Sequence, residues 1–189
     1  MVYLFILVNK VIGKTYSAIK FLTDQKLKFN YRIVTNVLSF NAFPDTIFMT
    51  DINDIIDYCS QFNNNDANII IFFDEIFTIL EKRGAINSKI LGFISQLRKR
   101  NIIMVTTAQE WLEINMTFRR YARFQIDCHM IALPFTSTAL QLNYVNDAEQ
   151  MKWSNEDNEY IAPRLITKIS KGNKSIIESY DTFETIKRG

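Results

Sequence analysis

The run NIIIFFDE at 68–75 constrains the fold of this chain most. Ile69, Ile70, Ile71, Phe72 and Phe73 follow one another without a polar residue. A strand of that composition has no face to give to water, so it belongs in the middle of a sheet covered on both sides. The rest of the chain supplies the covering. Further apolar runs at 2–8, 31–37, 102–107 and 124–133 alternate with helical patterns. Ala18, Ile19 and Leu22 give a helix over 15–25. Thr50 and Asp51 cap a second helix carrying Ile52, Ile55, Ile56 and Tyr58. Ile90, Phe93, Ile94 and Leu97 share one face of a third over 89–100. This alternation predicts an α/β fold with a central, mainly parallel sheet flanked by helices.

The intervening segments read less sharply. The segment 46–49 fits a short extra strand, and 41–44 and 63–67 read as loops. A helix starts within 76–82, a mobile loop follows at 83–88, and 111–122 is helical or irregular. The polar stretch 143–158 has no clear pattern. Segments 165–170 and 175–180, with Gly172–Asn173 between them, predict a β-hairpin. With 189 residues, 48% of them hydrophobic, the chain is expected to form one domain over 1–189, with 160–189 as a hairpin extension.

Composition removes several kinds of chemistry. His129 is the only histidine, and Cys59 and Cys128 lie in apolar surroundings without CxxC spacing. A histidine-based triad, a zinc site and a disulfide framework are therefore not expected. The net charge is only +2, so a nucleic-acid partner has to be argued from local clusters. The apolar start at 2–8 has no basic leader or small-residue cleavage site, and no apolar run approaches the roughly 20 residues that span a bilayer. The expectation is a cytoplasmic protein without stable membrane insertion.

Two motifs carry chemistry. VNKVIGKT at 8–15 lies between the first strand and the first helix, the context of a phosphate-binding P-loop of the form GxxxxGK[ST]. Gly13, Lys14 and Thr15 match it, whereas Val8 stands at the leading glycine and Val11 at a position often taken by another. In such a loop, backbone amides and the helix N-terminus wrap the phosphates, the lysine reaches the outer ones and the hydroxyl binds magnesium. Asn9, Lys10, Val11, Ile12, Gly13, Lys14, Thr15 and Tyr16 are the candidate ATP-binding residues. The second motif is the acidic pair that ends the 68–75 run. Asp74, with Thr15, is the candidate ligand for Mg2+, and Glu75 the candidate base for the attacking water. An ordinary strand–helix turn and an acidic helix cap are the plainer readings of these two motifs. Their order, about 60 residues apart at the ends of two strands, favours the catalytic reading.

After the 102–107 strand comes TTAQ, in which Gln109 is the candidate γ-phosphate sensor, with Thr106 and Thr107 beside it. Capping of the following helix is the alternative. A basic series follows: Arg98, Lys99, Arg100, Arg119, Arg120 and Arg123. A solvated helix face accounts for Arg98–Arg100. Arg119 and Arg120 are the candidates for a catalytic arginine reaching a neighbour's nucleotide.

Taken in order, these elements resemble the HerA/FtsK superfamily of DNA-pumping P-loop ATPases, in particular small viral genome-packaging ATPases and the Zot-like proteins of filamentous phages. The resemblance is carried by DEIFTILEKRG (74–84), FISQLRKRNIIMVTTAQ (93–109) and INMTFRRYARFQI (114–126), with Thr35–Asn36 and Tyr180–Thr182 adding Zot-like touches. It implies a P-loop NTPase fold of the RecA/ASCE type. It further implies ATP hydrolysis coupled to translocation of double-stranded DNA, and a homo-oligomeric ring of five or six chains, with a capsid or portal protein as a further partner. Loops at 83–89 and 171–174 would then face the DNA. A small nucleotide kinase and a hydrolysis-deficient P-loop interaction module are the two other readings that the motifs admit.

Overall fold

The computed structural model describes residues 4–8, 13–62, 67–76, 86–132 and 139–181. Strands β1 (Leu4–Val8), β2 (Arg32–Thr35), β3 (Ile47–Phe48), β4 (Ile69–Phe73), β5 (Ile102–Ala108) and β6 (Phe124–Ala132) form a parallel sheet. β7 (Ala139–Asp147) and β10 (Arg164–Lys171) extend it antiparallel beyond β6, giving the order β10-β7-β6-β1-β5-β4-β2-β3. Every residue of β4 is buried, as is every residue of β5. That is why β4 reads as unbroken apolar sequence and β5 as apolar up to Thr106 and Thr107, whose hydroxyls are hydrogen-bonded. Each buried Ile, Phe, Met or Val of these strands contributes roughly 1.5–3 kcal/mol through burial.

Helices cover both faces. α1 (Lys14–Phe29) packs Tyr16, Ala18, Ile19 and Leu22 against Leu7, Ile33, Ile70, Phe72 and Val105. α2 (Ile52–Ser60) and α3 (Ser88–Gln96) cover Ile6, Ile69, Ile71, Phe73 and Met104 on the other face. α2 buries Ile52, Ile55, Ile56 and Cys59, a spacing of three and four that makes one stripe. Asp51 caps it, accepting the Asn53 N–H at 2.7 Å, and Asn87 caps α3 in the same way from Lys89 at 2.8 Å. A short helix α4 (Met116–Arg119) follows β5 and buries Phe118. Both cysteines are buried and neither is in a disulfide, and His129 rests edge-on against Tyr144. Among the described residues, no helix is long and apolar enough to cross a membrane.

The C-terminal part departs from the expectation. The hairpin of 165–170 with 175–180 does not form. β10 pairs with β7 instead, and Lys174–Ile177 is a short helix, α5. Gly172–Asn173 is therefore no hairpin tip. The Asn173 side chain caps α5 by accepting the Ser175 N–H at 3.0 Å, and Lys174 pairs with Glu178 at 3.5 Å. The segment 143–158, unplaced from its sequence, holds most of β7 and the strand β8 (Lys152–Ser154), which pairs antiparallel with β9 (Glu159–Ile161). The expectations for 77–85, including the helix and loop there, lie outside the described residues, as do Asn9, Lys10, Val11 and Ile12.

Candidate nucleotide site

The sheet order decides what meets what. β5 lies between β1, which leads into GKT, and β4, which ends in Asp74. The C-terminal ends of β1, β5, β4 and β2 line up on one edge, where an open parallel sheet binds its ligand. Gly13 stands at the N-cap of α1 with φ 120, a backbone that L side chains rarely adopt, and no side chain caps the helix there. The first-turn N–H groups of a helix have no partner in the helix itself. With the positive end of the helix dipole they favour an anion.

Thr15, in that first turn, donates its hydroxyl to Asp74 Oδ2 at 3.1 Å, joining two motifs 59 residues apart. Thr107, on β5, donates to the other oxygen of the same carboxylate. It also accepts the Glu75 backbone N–H at 2.8 Å. Thr106 donates to the Phe73 carbonyl at 2.8 Å. From the other side, on the segment after β2, the Asn36 amide takes hold of the Asp74 peptide. Its Oδ1 accepts the Asp74 N–H at 2.8 Å and its Nδ2 donates to the Asp74 carbonyl at 3.0 Å. Three polar side chains, those of Thr15, Thr107 and Asn36, thus hold one acidic residue in place.

Glu75 has φ 55, in the left-handed region. That turn takes the chain out of the strand line directly after Asp74. Such a conformation in a non-glycine residue costs of order 1–3 kcal/mol and persists only where neighbours impose it. Here the Thr107 hydroxyl and the Asn36 amide are those neighbours. Protein packed around Asp74 pushes its carboxyl above the usual carboxylate range, against the pull of the Thr107 and Thr15 hydroxyls. The charge on Glu75 adds to the rise and Lys14 opposes it. A carboxylate so enclosed is stabilised by a cation beside it. Thr15 and Asp74 are hard oxygen donors within reach of one ion. Mg2+ sites ordinarily need no more than one or two protein ligands, since phosphates and waters supply the rest. The donor set fits Mg2+.

The C-terminal segment returns to this edge. The Asn173 N–H donates to the hydroxyl of Tyr16 at 2.9 Å, the Asn41 N–H to the Ser179 carbonyl at 2.9 Å, and the Asp181 N–H to Ser39 Oγ at 2.9 Å. Burial, then the charges of Asp74 and Tyr16, push the Tyr180 phenol up to about 12.

Lys14, Thr15, Asp74 and Glu75 therefore share one edge, with Thr107 the residue of the TTAQ segment that reaches the acid. Gln109 is exposed just past the end of β5 and lines a different cleft of about 840 Å³, floored by Gln125, Asp127 and Asn146. Arg119 stands near that cleft, its guanidinium over the rings of Trp111 at 5.8 Å and Tyr160 at 5.3 Å. Arg120 is exposed, and Arg123 is taken up by Glu149 and Asp147. The clamp by Asn36 was not expected from its sequence; a polar pair, Thr35–Asn36, closing a buried strand was the available signal.

Similar folds are known. The chain superposes on the N-terminal domain of zonular occludens toxin from Neisseria meningitidis with TM-score 0.56 at 14% identity, covering 96% of this chain and 100% of that one. The genome packaging NTPase of Sulfolobus turreted icosahedral virus 2, in complex with ATP-gammaS, gives 0.55 at 10% identity, covering 85% and 96%. A KaiC-like protein from Pyrococcus horikoshii gives 0.52 at 13% identity, covering 86% and 89%. No curated protein matches the chain by sequence. A family model does match, over residues 9–130, and covers most of the chain: the protein belongs to the ATPase family associated with various cellular activities (AAA).

Proposed function

We propose that this chain is an ATP-driven translocase of double-stranded DNA, packaging a viral or mobile-element genome as a homo-oligomeric ring. The observation that carries the ATPase part is the Thr15–Asp74 hydrogen bond at 3.1 Å, with Thr107 on the same carboxylate. The DNA part is supported by likeness in shape to a genome packaging NTPase.

In this reading Gly13 and the α1 N-terminus offer N–H groups to the phosphates, together with Asn9, Lys10, Val11, Ile12 and Tyr16 of the same segment. Lys14 places its ammonium on the outer phosphates. Thr15 and Asp74 would hold Mg2+, which when bound neutralises charge on the phosphates. Glu75 accepts a proton from the attacking water as its oxygen bonds to the γ-phosphorus and the bond to the bridging oxygen breaks. Thr107 and Asn36 fix where Glu75 starts. One arginine of a neighbouring chain completes the site; Gln109 faces the other cleft, and Thr107 takes its expected place beside the acids. Arg119, held over two rings, is better prepared for that than the exposed Arg120.

The test is ATP turnover with and without duplex DNA. The parent is expected to be stimulated by duplex DNA, with salt suppressing the stimulation, and Lys14→Ala is expected to be inactive. Stimulation by a nucleoside or nucleotide instead would identify a kinase. Turnover by Lys14→Ala at the parent rate, with Lys10→Ala inactive, would move the phosphate lysine to position 10.

A further inference from the structure

β7 belongs to the antiparallel end of the sheet and is separated from β1 by β6. It nevertheless reaches the phosphate-binding turn. Gln141 is only 1% exposed, and its amide lies against Gly13: a Cβ built on that glycine would stand 3.1 Å from both Gln141 Nε2 and Oε1. Gln141 Nε2 donates to Asn143 Oδ1 at 2.7 Å, and the same Oδ1 accepts the Ser17 hydroxyl at 3.0 Å. Ser17 lies in the first turns of α1, and its N–H donates to the Gly13 carbonyl at 2.9 Å. The chain of contacts thus runs from Gly13 through Gln141 and Asn143 back to Ser17, a closed brace around the helix start.

One atom in this brace is unaccounted for. Gln141 Oε1 is buried and has no hydrogen-bond partner among the described residues. A buried amide oxygen without a partner is costly, and a leucine of similar shape would avoid the cost. Packing alone therefore does not explain a glutamine here. Its location does: it faces Gly13, whose φ of 120 demands glycine.

We propose that Gln141, seated by Asn143, is a positioning residue of the phosphate site: it holds Gly13 and the α1 N-terminus in the conformation that receives the nucleotide phosphates. The proposal rests on the nucleotide-binding reading given above. It gives the antiparallel extension a part in nucleotide binding, and it fits a motif in which valines stand where glycines are usual. Misplacing a binding group by a fraction of an ångström is enough to cost affinity without unfolding anything.

Gln141→Leu tests this, measured beside the parent and Lys14→Ala by calorimetric titration with ATP-gammaS and magnesium and by thermal melting. Leucine removes the unpartnered oxygen, while Asn143 Oδ1 keeps the Ser17 hydroxyl, so melting is expected at or above the parent temperature. Affinity is expected to fall on the order of tenfold. Parent-like affinity overturns the proposal. A Gln141→Leu chain that melts well below the parent overturns it too, because the amide would then be holding the sheet together. If the parent itself binds no ATP-gammaS, or Lys14→Ala binds it equally well, the nucleotide reading fails before Gln141 is in question.

Discussion

The Thr107 hydroxyl accepts the backbone N–H of Glu75 at 2.8 Å while donating to the Asp74 carboxylate. One side chain therefore sets both the acid that would face the metal and the direction of the acid that would face the water. Thr107→Val keeps the shape and removes both bonds. The buried N–H and carboxylate oxygen lose their partner, which costs about 1–3 kcal/mol of stability. ATP hydrolysis is expected to fall by about tenfold or more, since a displaced base loses much of its effect. Thr107→Ser, which keeps the hydroxyl, is expected to retain most of the rate. If the valine and serine variants turn over ATP alike, the hydroxyl has no part in aiming Glu75.

Asp74 gives a pH prediction whose sign follows from its raised carboxyl. The folded chain holds this proton more tightly than the unfolded chain does. The residue's stabilising contribution is complete below the ordinary carboxylate range, about pH 4, and is lost as pH rises through the raised folded value. Asp74→Asn removes the titration. Without nucleotide, the variant is expected to melt above the parent at neutral pH, with the gap closing toward about pH 4. The same variant is expected to lose magnesium-dependent ATP binding. A gap that widens toward acid would show that burial does not raise this carboxyl.

How much of this was open to a reader of the sequence depended on what each residue's partner was. IIIFF and GKT announce themselves because their neighbours in sequence define them. Asn36 does not, because its clamp on Asp74 exists only once β2 lies beside β4, 38 residues away. Thr107 and Gln109 are two apart, and on a strand they would share a face. β5 ends at Ala108, so that alternation stops before Gln109, which turns to the other cleft. The C-terminal hairpin misled for a related reason. Gly172–Asn173 is good turn chemistry, but Asn173 serves as a helix cap, and the true partner of β10 was hidden in 139–147. In that strand Gln141 and Asn143 occupy positions facing α1 that would ordinarily be apolar.

Glu75→Gln separates binding from chemistry. The amide keeps the size of the side chain and loses the charge that takes the proton. ATP affinity is expected to stay within about threefold of the parent, while turnover falls by about 10²-fold or more. Titration calorimetry and a steady-state assay check the two halves. Equal loss of affinity and turnover would make Glu75 a structural carboxylate, needed for the left-handed turn at φ 55 and not for the water.

Arg119 tests whether the site is shared between chains. Its guanidinium lies over Trp111 at 5.8 Å and Tyr160 at 5.3 Å, and its Nε is buried without a hydrogen-bond partner among the described residues. No carboxylate pairs with it among those residues. Two rings hold the cation in one orientation while leaving its charge uncompensated, which suits a group that has to meet a phosphate of another molecule. Arg120, one residue on, is exposed. If Arg119 reaches a neighbour's nucleotide, Arg119→Ala assemblies hydrolyse ATP poorly, by a factor of about 10³ at the level of an arginine finger. Arg120→Ala is expected to stay close to the parent. Mixing Arg119→Ala with Glu75→Gln chains restores part of the rate, because some interfaces then join an intact Glu75 to an intact Arg119. The rate per chain should also rise with protein concentration as rings assemble. A rate independent of concentration down to a proven monomer, with no recovery in the mixture, would place the whole reaction within one chain.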